Sequence, residues 1–281
     1  MIKYQKSPKD KPAKIKKVGL VGWPVKHSLS PLLHNLCFAA LQLPYHYGLY
    51  EIPPDKFDSK ISGLKNELEG FNVTIPYKRK IAGRLDGVSA AASRIGAVNC
   101  ASKVNGNWRG FNTDAQGFLR ALKEALHPHN LSAFIVGCGG AACAVAFALM
   151  KSGIKKLYLN DIDTPRAMAL RTRILKFFPE IPVFAAPDFA VLKHCDILVN
   201  ATPVGMEKDE MSVPGKFLHK RLYVFDCIYN RETPLLKYAK KRNMKFQNGL
   251  NMLIYQAAES FKIWTGIEPP VEVMKKALEE K

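Results

Sequence analysis

The chain has 281 residues, 47% of them apolar, with 42 Lys and Arg against 24 Asp and Glu for a formal charge of +18. That length suits two modest domains with real cores, and the apolar fraction excludes a wholly disordered chain. The six cysteines (Cys37, Cys100, Cys138, Cys143, Cys195, Cys227) form no C-x-x-C pair, so neither a zinc site nor a disulfide framework is expected, and the expected setting is a reducing cytoplasm.

Residues 1–17 carry seven Lys and one Asp and contain no apolar core segment, which argues against a secretory signal and predicts a loosely packed basic tail over residues 1–16. The remaining positive charge is spread along the chain with no aromatic-interleaved basic motif, a distribution better suited to steering small anions than to gripping nucleic acid. Residues 17–22 predict a strand, and Pro24 forces a turn. Ser28 and Ser30 flank Leu29, and Ser30-Pro31 reads as a helix N-cap followed by proline at the first helical position. That helix would turn Leu32, Leu33, Leu36 and Phe38 inward. On these residues alone the serines could serve capping and turn chemistry only. A strand over 45–52 follows, then a helix over 56–68 with Phe57, Ile61, Leu64 and Leu68 on one face. On the next strand, 70–75, Asn72 and Thr74 are two apart and share a face. Lys78 lies just past its C-terminal end, where open α/β sheets hold ligand-binding groups. A small helix over 89–95 and a strand over 97–102 carrying Asn99 come next. Asn105-Gly106 signals a hairpin returning through 108–111. Asp114 precedes a helix over 116–125 and could be only a helix N-terminal acid.

Residues 131–161 read strand, glycine turn, helix, strand: one βαβ unit. Gly137 and Gly139 fit the first two positions of G-x-G-x-x-G/A, and Ala142 fits the third. A pyrophosphate needs bare backbone at a helix N-terminus, and glycines supply it. Asp161 closes the second strand 24 residues after Gly137. An acid there can accept hydrogen bonds from adenosine ribose hydroxyls and would repel a 2′-phosphate, which points to NAD. Residues 133–150 run for 18 residues without a charge, but three glycines in the first half and a strand-like start argue against a membrane span. Helix is then expected over 165–178, strand over 182–186, a short helix over 190–192, strands over 196–200 and 222–226, helix over 233–241, a short strand over 244–247, and helices from residue 250 onward. This alternation predicts two α/β domains, near 17–114 and 115–249, with a ligand in the cleft between them.

Seven separated motifs agree: HSLSP at 27–31, NVTIPYK at 72–78, GAVN at 96–99, NTD at 112–114, GCGGAA at 137–142, NATPVGM at 200–206 and NGLNML–YQAA at 248–258. Carried in this order over nearly the whole chain, they make it resemble the shikimate dehydrogenase family, including its quinate/shikimate branch. The resemblance implies reversible hydride transfer between a nicotinamide cofactor and the ring alcohol of shikimate (3-dehydroshikimate in the reducing direction), either within aromatic amino-acid biosynthesis or, as an NAD-like signature would suggest, in catabolic use of quinate or shikimate. It implies an N-terminal α/β substrate domain (1–114), a Rossmann-like dinucleotide domain (115–249), and C-terminal helices (250–281) returning to the substrate domain. Ser28 and Ser30 would bind the substrate carboxylate with Tyr229 nearby. Thr74, Asn99 and Gln256 would hold ring hydroxyls, and Lys78 and Asp114 would form the catalytic pair. Cofactor contacts would fall at Gly137, Gly139, Gly140, Ala141, Asn160, Asp161, Arg166, Thr202, Cys227, Gly249 and Met252, with no metal. The chemistry supports the pair independently, because oxidising a secondary alcohol needs a proton accepted from oxygen as hydride leaves carbon.

Two departures qualify the resemblance. NADP-using members carry an Asn-Arg-Thr-like stretch after the second Rossmann strand. Here residues 160–166 read Asn-Asp-Ile-Asp-Thr-Pro-Arg, with Asp161 in place of the arginine and Arg166 still able to contact ribose or phosphate. NAD is therefore the expected cofactor, with NADP possible. Asn251 stands where the family usually has glycine, and its side chain is expected to crowd the nicotinamide. Expected partners are shikimate or also quinate, with neither nucleic acid nor membrane, in a monomer or homodimer. The alternatives are a quinate-preferring dehydrogenase and a catalytically silent nucleotide-binding regulator. The presence of both Lys78 and Asp114 argues against the second.

Overall fold

The computed structural model describes residues 14–185 and 188–279, so the basic tail expected at the N-terminus lies outside the described residues up to residue 13. Two six-stranded sheets organise the chain. The first is built from β1 (Lys16–Gly22), β2 (Tyr45–Glu51), β3 (Gly70–Val73), β4 (Gly87–Val88), β5 (Cys100–Val104) and β6 (Asn107–Phe111), in the order β2-β1-β3-β5-β6-β4. β1 runs parallel to β2 and β3, whereas β5 is antiparallel to β3 and β6. Its helices are α1 (Ser30–Ala40), α2 (Phe57–Glu67) and α3 (Ala90–Ile95). The last five residues of β1 are buried, a continuous run that fits a parallel strand covered on both faces.

The second sheet contains β7 (Ser132–Val136), β8 (Lys156–Asn160), β9 (Val183–Ala185), β10 (Ile197–Asn200), β11 (Tyr223–Asp226) and β12 (Phe246–Gln247). Every pairing in it is parallel, in the order β12-β11-β10-β7-β8-β9. The helices α4 (Asp114–Lys123), α5 (Gly140–Lys151), α6 (Thr164–Leu175) and α7 (Pro234–Lys241) accompany it. The chain winds one way from β7 to β9 and the other way from β10 to β12. The reversal leaves a crevice at the C-terminal ends of β7 and β10, where such sheets bind nucleotides. The uncharged run 133–150 is divided between β7 and α5, and among the described residues no helix is long and apolar enough to cross a membrane.

Two helices close the chain, α8 (Leu250–Thr265) and α9 (Val271–Glu279). α8 lies along α4 and reaches α1 and β5 of the first sheet. Trp264 Nε1 donates to Ala101 O on β5 at 3.0 Å, and Tyr45 OH donates to Trp264 O at 3.2 Å. Around them Phe38, Tyr47, Phe261 and His34 form one aromatic cluster, with the His34 ring 4.4 Å from the Tyr47 ring and 3° from parallel.

This cluster corrects the expected face of α1. Leu33, His34, Cys37 and Phe38 turn inward, while Leu32 and Leu36 are 36% and 39% exposed. His34 sets that register by stacking, and a hydrophobic pattern scores it as polar. Ser30 is also not the cap. Leu29 holds that place in right-handed helical geometry, no side chain caps the helix, and Ser30 N–H instead donates to Ser28 Oγ at 3.2 Å. The Ser30 hydroxyl is thereby left for other work. Asn99 sits one residue before β5 rather than within a strand starting at 97.

Candidate active site

One cavity of about 160 Å³ opens between the two sheets. The first sheet and its loops contribute Ser28, Ser30, Asn72, Thr74, Lys78 and Asn99; the start of α4 contributes Asp114; the second sheet, its loops and α5 contribute Ala141, Cys227 and Tyr229; the start of α8 contributes Gly249, Met252 and Gln256. Every residue expected to touch substrate or to move the proton therefore lies on one surface. Among the residues expected at the cofactor, Ala141, Cys227, Gly249 and Met252 share that surface. Gly137, Gly139, Gly140, Asn160, Asp161, Arg166 and Thr202 are not on it; they belong to the glycine turn, the end of β8, the first turn of α6 and the loop after β10.

Lys78 Nζ stands 2.7 Å from Asp114 Oδ2, and the two side chains are 16% and 6% exposed. Low exposure strengthens their attraction relative to water. Asp114 is the first residue of α4, where the free N–H groups of a helix N-terminus favour a carboxylate. Its other oxygen, Oδ1, accepts a hydrogen bond from Asn99 Nδ2 at 2.8 Å. Asn99 Nδ2 also donates to Thr113 Oγ1 at 2.8 Å, while Asn99 Oδ1 accepts the Thr113 N–H at 2.6 Å. The Asn99 amide is thus fully oriented before any ligand arrives. At the opposite end, Ser28 Oγ donates to Ser30 Oγ at 3.2 Å. Burial raises the Tyr229 phenol above its ordinary value, which keeps it a neutral donor. Burial also pushes the Cys227 thiol far up, with Asp226 and Asp114 adding to the shift, so it lines the cavity as a small apolar group and not as a nucleophile.

The glycine turn fits a dinucleotide. Gly137 has φ +90°, and a Cβ there would meet Thr202 Cγ2 at 2.8 Å, so only glycine is comfortable. A Cβ on Gly139 would meet nothing within 4 Å, which leaves open space beside the turn. α5 begins at Gly140 with no capping side chain and no acid in its first turn, so its first N–H groups remain available to an anion. Asp161 is buried against this turn. Its carboxylate accepts the N–H of Cys138 at 2.7 Å and that of Asp163 at 2.9 Å. Arg166 faces both acids, 3.1 Å from Asp163 and 3.8 Å from Asp161, and Ile162 between them is fully exposed.

Asn251 requires a correction. Its Nδ2 donates to Glu124 Oε2 at 2.6 Å, away from the cavity, and Tyr255 OH donates to the other oxygen of Glu124. Consecutive helical residues point about 100° apart, so Met252 faces the cavity and Asn251 faces α4. Four residues with no predicted role stand behind the pair. Tyr47 OH donates to Asn72 Oδ1 at 2.9 Å, Asn72 Nδ2 donates to Ser260 Oγ at 2.8 Å, and Ser260 Oγ lies 3.1 Å from Thr113 Oγ1. The one sequence signal for Ser260 was its spacing, four residues after Gln256 and hence on the same helical face.

Residues 20–101 match the family model for the shikimate dehydrogenase substrate binding domain, and residues 249–279 match that for the shikimate 5'-dehydrogenase C-terminal domain. The chain is 42% identical over 277 residues to a shikimate dehydrogenase (NADP(+)) of Methanocaldococcus jannaschii, covering 96% of this chain and 98% of that protein. It is 41% identical over 266 residues to the protein of the same name from Dictyoglomus turgidum, covering 93% and 96%. The shikimate dehydrogenase structure from Aquifex aeolicus superposes with a TM-score of 0.87 at 36% identity, covering 95% of this chain and 98% of that one. That of shikimate 5-dehydrogenase from Listeria monocytogenes in complex with shikimate and NAD gives 0.85 at 32% identity, covering 97% and 99%. The names of the two sequence relatives carry NADP(+), which runs against the NAD preference expected from Asp161.

Proposed function

Because this chain belongs to the shikimate dehydrogenase family of NAD(P)-dependent oxidoreductases, we propose that it interconverts shikimate and 3-dehydroshikimate with Lys78 and Asp114 handling the proton. The observation that carries this reading is the 2.7 Å contact between Lys78 Nζ and Asp114 Oδ2 on a cavity that also gathers the hydroxyl and amide groups of Ser28, Ser30, Thr74, Asn99, Tyr229 and Gln256 beside apolar Leu20, Met252 and Leu253. That convergence of polar groups suits a carboxylate-bearing polyol, which offers many oxygens to bond.

Ser28, Ser30 and Tyr229 supply hydroxyls for the carboxylate. Thr74, Asn99 and Gln256 face the ring hydroxyls. Lys78 Nζ hydrogen-bonds the reacting oxygen. When the alcohol is oxidised, its proton passes from oxygen to the Lys78–Asp114 pair as the C–H bond gives up hydride; in the other direction Lys78 returns a proton to the carbonyl oxygen. Asp114 keeps the ammonium oriented toward that oxygen. The nicotinamide cofactor, when bound, supplies the hydride acceptor or donor. Gly137, Gly139, Gly140 and Ala141 would hold its pyrophosphate, and Gly249 and Met252 with Cys227 would border the nicotinamide.

NAD is favoured over NADP in this reading. A 2′-phosphate near the end of β8 would meet the carboxylates of Asp161 and Asp163, and the nearby Arg166 is already faced by both. The test is turnover by the purified chain, followed through reduced-nicotinamide absorbance, in a matrix of shikimate or quinate with NAD or NADP. Shikimate with NAD is expected to be fastest. A preference for NADP would overturn the role given to Asp161, a preference for quinate would overturn the substrate, and no turnover in any combination would overturn the reading itself.

A further inference from the structure

We propose that Ser260 on α8 is a positioning residue for the Lys78–Asp114 pair, acting through Thr113 and Asn99. The proposal rests on the hydride-transfer reading given above.

Ser260 is fully buried, and its hydroxyl meets three partners. It donates its single proton to Gln256 O at 3.0 Å. Its lone pairs then accept from Asn72 Nδ2 at 2.8 Å and from Thr113 Oγ1 at 3.1 Å. Thr113, with its proton committed to Ser260, presents a lone pair to Asn99 Nδ2. The second Asn99 Nδ2 hydrogen points at Asp114 Oδ1 at 2.8 Å, with Gln256 Oε1 a longer partner at 3.4 Å. Tyr47 fixes the far end by donating to Asn72 Oδ1, which forces the Asn72 amide to turn its nitrogen toward Ser260. Donation therefore diverges from the Asn99 amide, running through Thr113 and Ser260 to Gln256 O on one side and to the Asp114 carboxylate on the other. Without the Ser260 oxygen, Thr113 loses its acceptor and can rotate its proton toward Asn99, which opposes the orientation that holds Asp114.

The coupling has a further consequence. Ser260 also bonds the backbone of Gln256, a cavity residue one helical turn away, so one hydroxyl ties a ring-hydroxyl contact to the proton-handling pair.

The test is a cycle of Ser260→Ala, Thr113→Val and the double variant, with kcat and KM measured for shikimate. Ser260→Ala is expected to lower kcat about tenfold while KM changes less than twofold, and the double variant to be no slower than the slower single variant. Ser260→Cys keeps the bulk and a weak sulfur partner, and is expected to retain more activity than Ser260→Ala. Unchanged kcat in Ser260→Ala would overturn the proposal, as would losses that multiply in the double variant, because a residue acting only on general packing does not depend on Thr113. If Ser260→Ala fails to fold, the Cys variant decides: kcat equal to that of the unaltered chain overturns the proposal, and a several-fold lower kcat at unchanged KM supports it. Absence of turnover in the unaltered chain would instead mark failure of the underlying reading.

Discussion

The substrate and cofactor halves of the proposed site are made from different material. The substrate half is an assembly of side chains, Lys78, Asp114, Asn99, Thr113, Ser260, Asn72 and Tyr47, each oriented by its neighbours across five separate segments of the chain. The cofactor side is mostly backbone: a positive-φ glycine, an uncovered helix N-terminus and small residues. A side-chain network can be broken at any member, because a buried polar group left without a partner is costly. A backbone site has few atoms to remove and is damaged chiefly by adding them.

The largest expected effect falls on the side-chain half. Asp114→Asn should lower kcat by on the order of 10²–10⁴ while leaving cofactor affinity near its original value, as read by steady-state rates and by fluorescence quenching on cofactor titration. Equal losses in both quantities would blur the division between the two sides.

The same half carries a pH liability. His34 is fully buried, neither ring nitrogen has a hydrogen-bond partner, and burial lowers its pKa to about 3. The unfolded chain takes up this proton near pH 6.5 and the folded chain does not. Stability is therefore complete above that pH and falls as the medium acidifies toward pH 3, by about 2 kcal/mol at pH 5. Urea unfolding at pH 7 and pH 5 should show this loss, and His34→Leu should remove it whatever its stability at pH 7. An unchanged slope in the variant would mean that other groups carry the acid sensitivity.

The backbone half is breached by addition. A Cβ on Gly140 would lie 3.0 Å from Lys78 Cβ and 3.2 Å from its Cδ. Alanine suits a helix start, so Gly140→Ala should fold normally and lower kcat about tenfold by displacing the lysine stem. Activity close to that of the unaltered chain would show that Lys78 has slack. The smallest effect is expected at Asn251, whose side chain bonds Glu124 outside both halves. Asn251→Gly should leave kcat and KM within about twofold and cost about 1 kcal/mol in thermal or urea unfolding.

The same contrast explains what the sequence made legible. Backbone requirements leave compositional marks: Gly137, Gly139 and Gly140 announce the turn, and the βαβ alternation announces the parallel sheet that carries it. Lys78 could be placed because it follows a strand end. The network could not be read so well, since Tyr47, Asn72, Thr113 and Ser260 are ordinary residues until the fold brings four segments together. α1 was misread for a related reason, because His34 is buried by aromatic stacking and not by hydrophobicity. Ser30 resembled a cap because a serine before proline usually is one. Asn251 was assigned to the cofactor by its neighbours in the motif, although one step along a helix turns a side chain by about 100°. Asp161 is expected at the ribose from its place after β8, whereas what the structure shows is its carboxylate tying down the glycine turn through Cys138 N–H.

The most direct test of the central claim is the turnover of Lys78→Ala with added ethylamine, measured beside its cofactor affinity. A loss of about 10³ in kcat at unchanged affinity is expected, with part of the rate restored in proportion to the amine. A kcat for Lys78→Ala within about tenfold of the unaltered chain would contradict it, since proton transfer would then not depend on the lysine that stands 2.7 Å from Asp114.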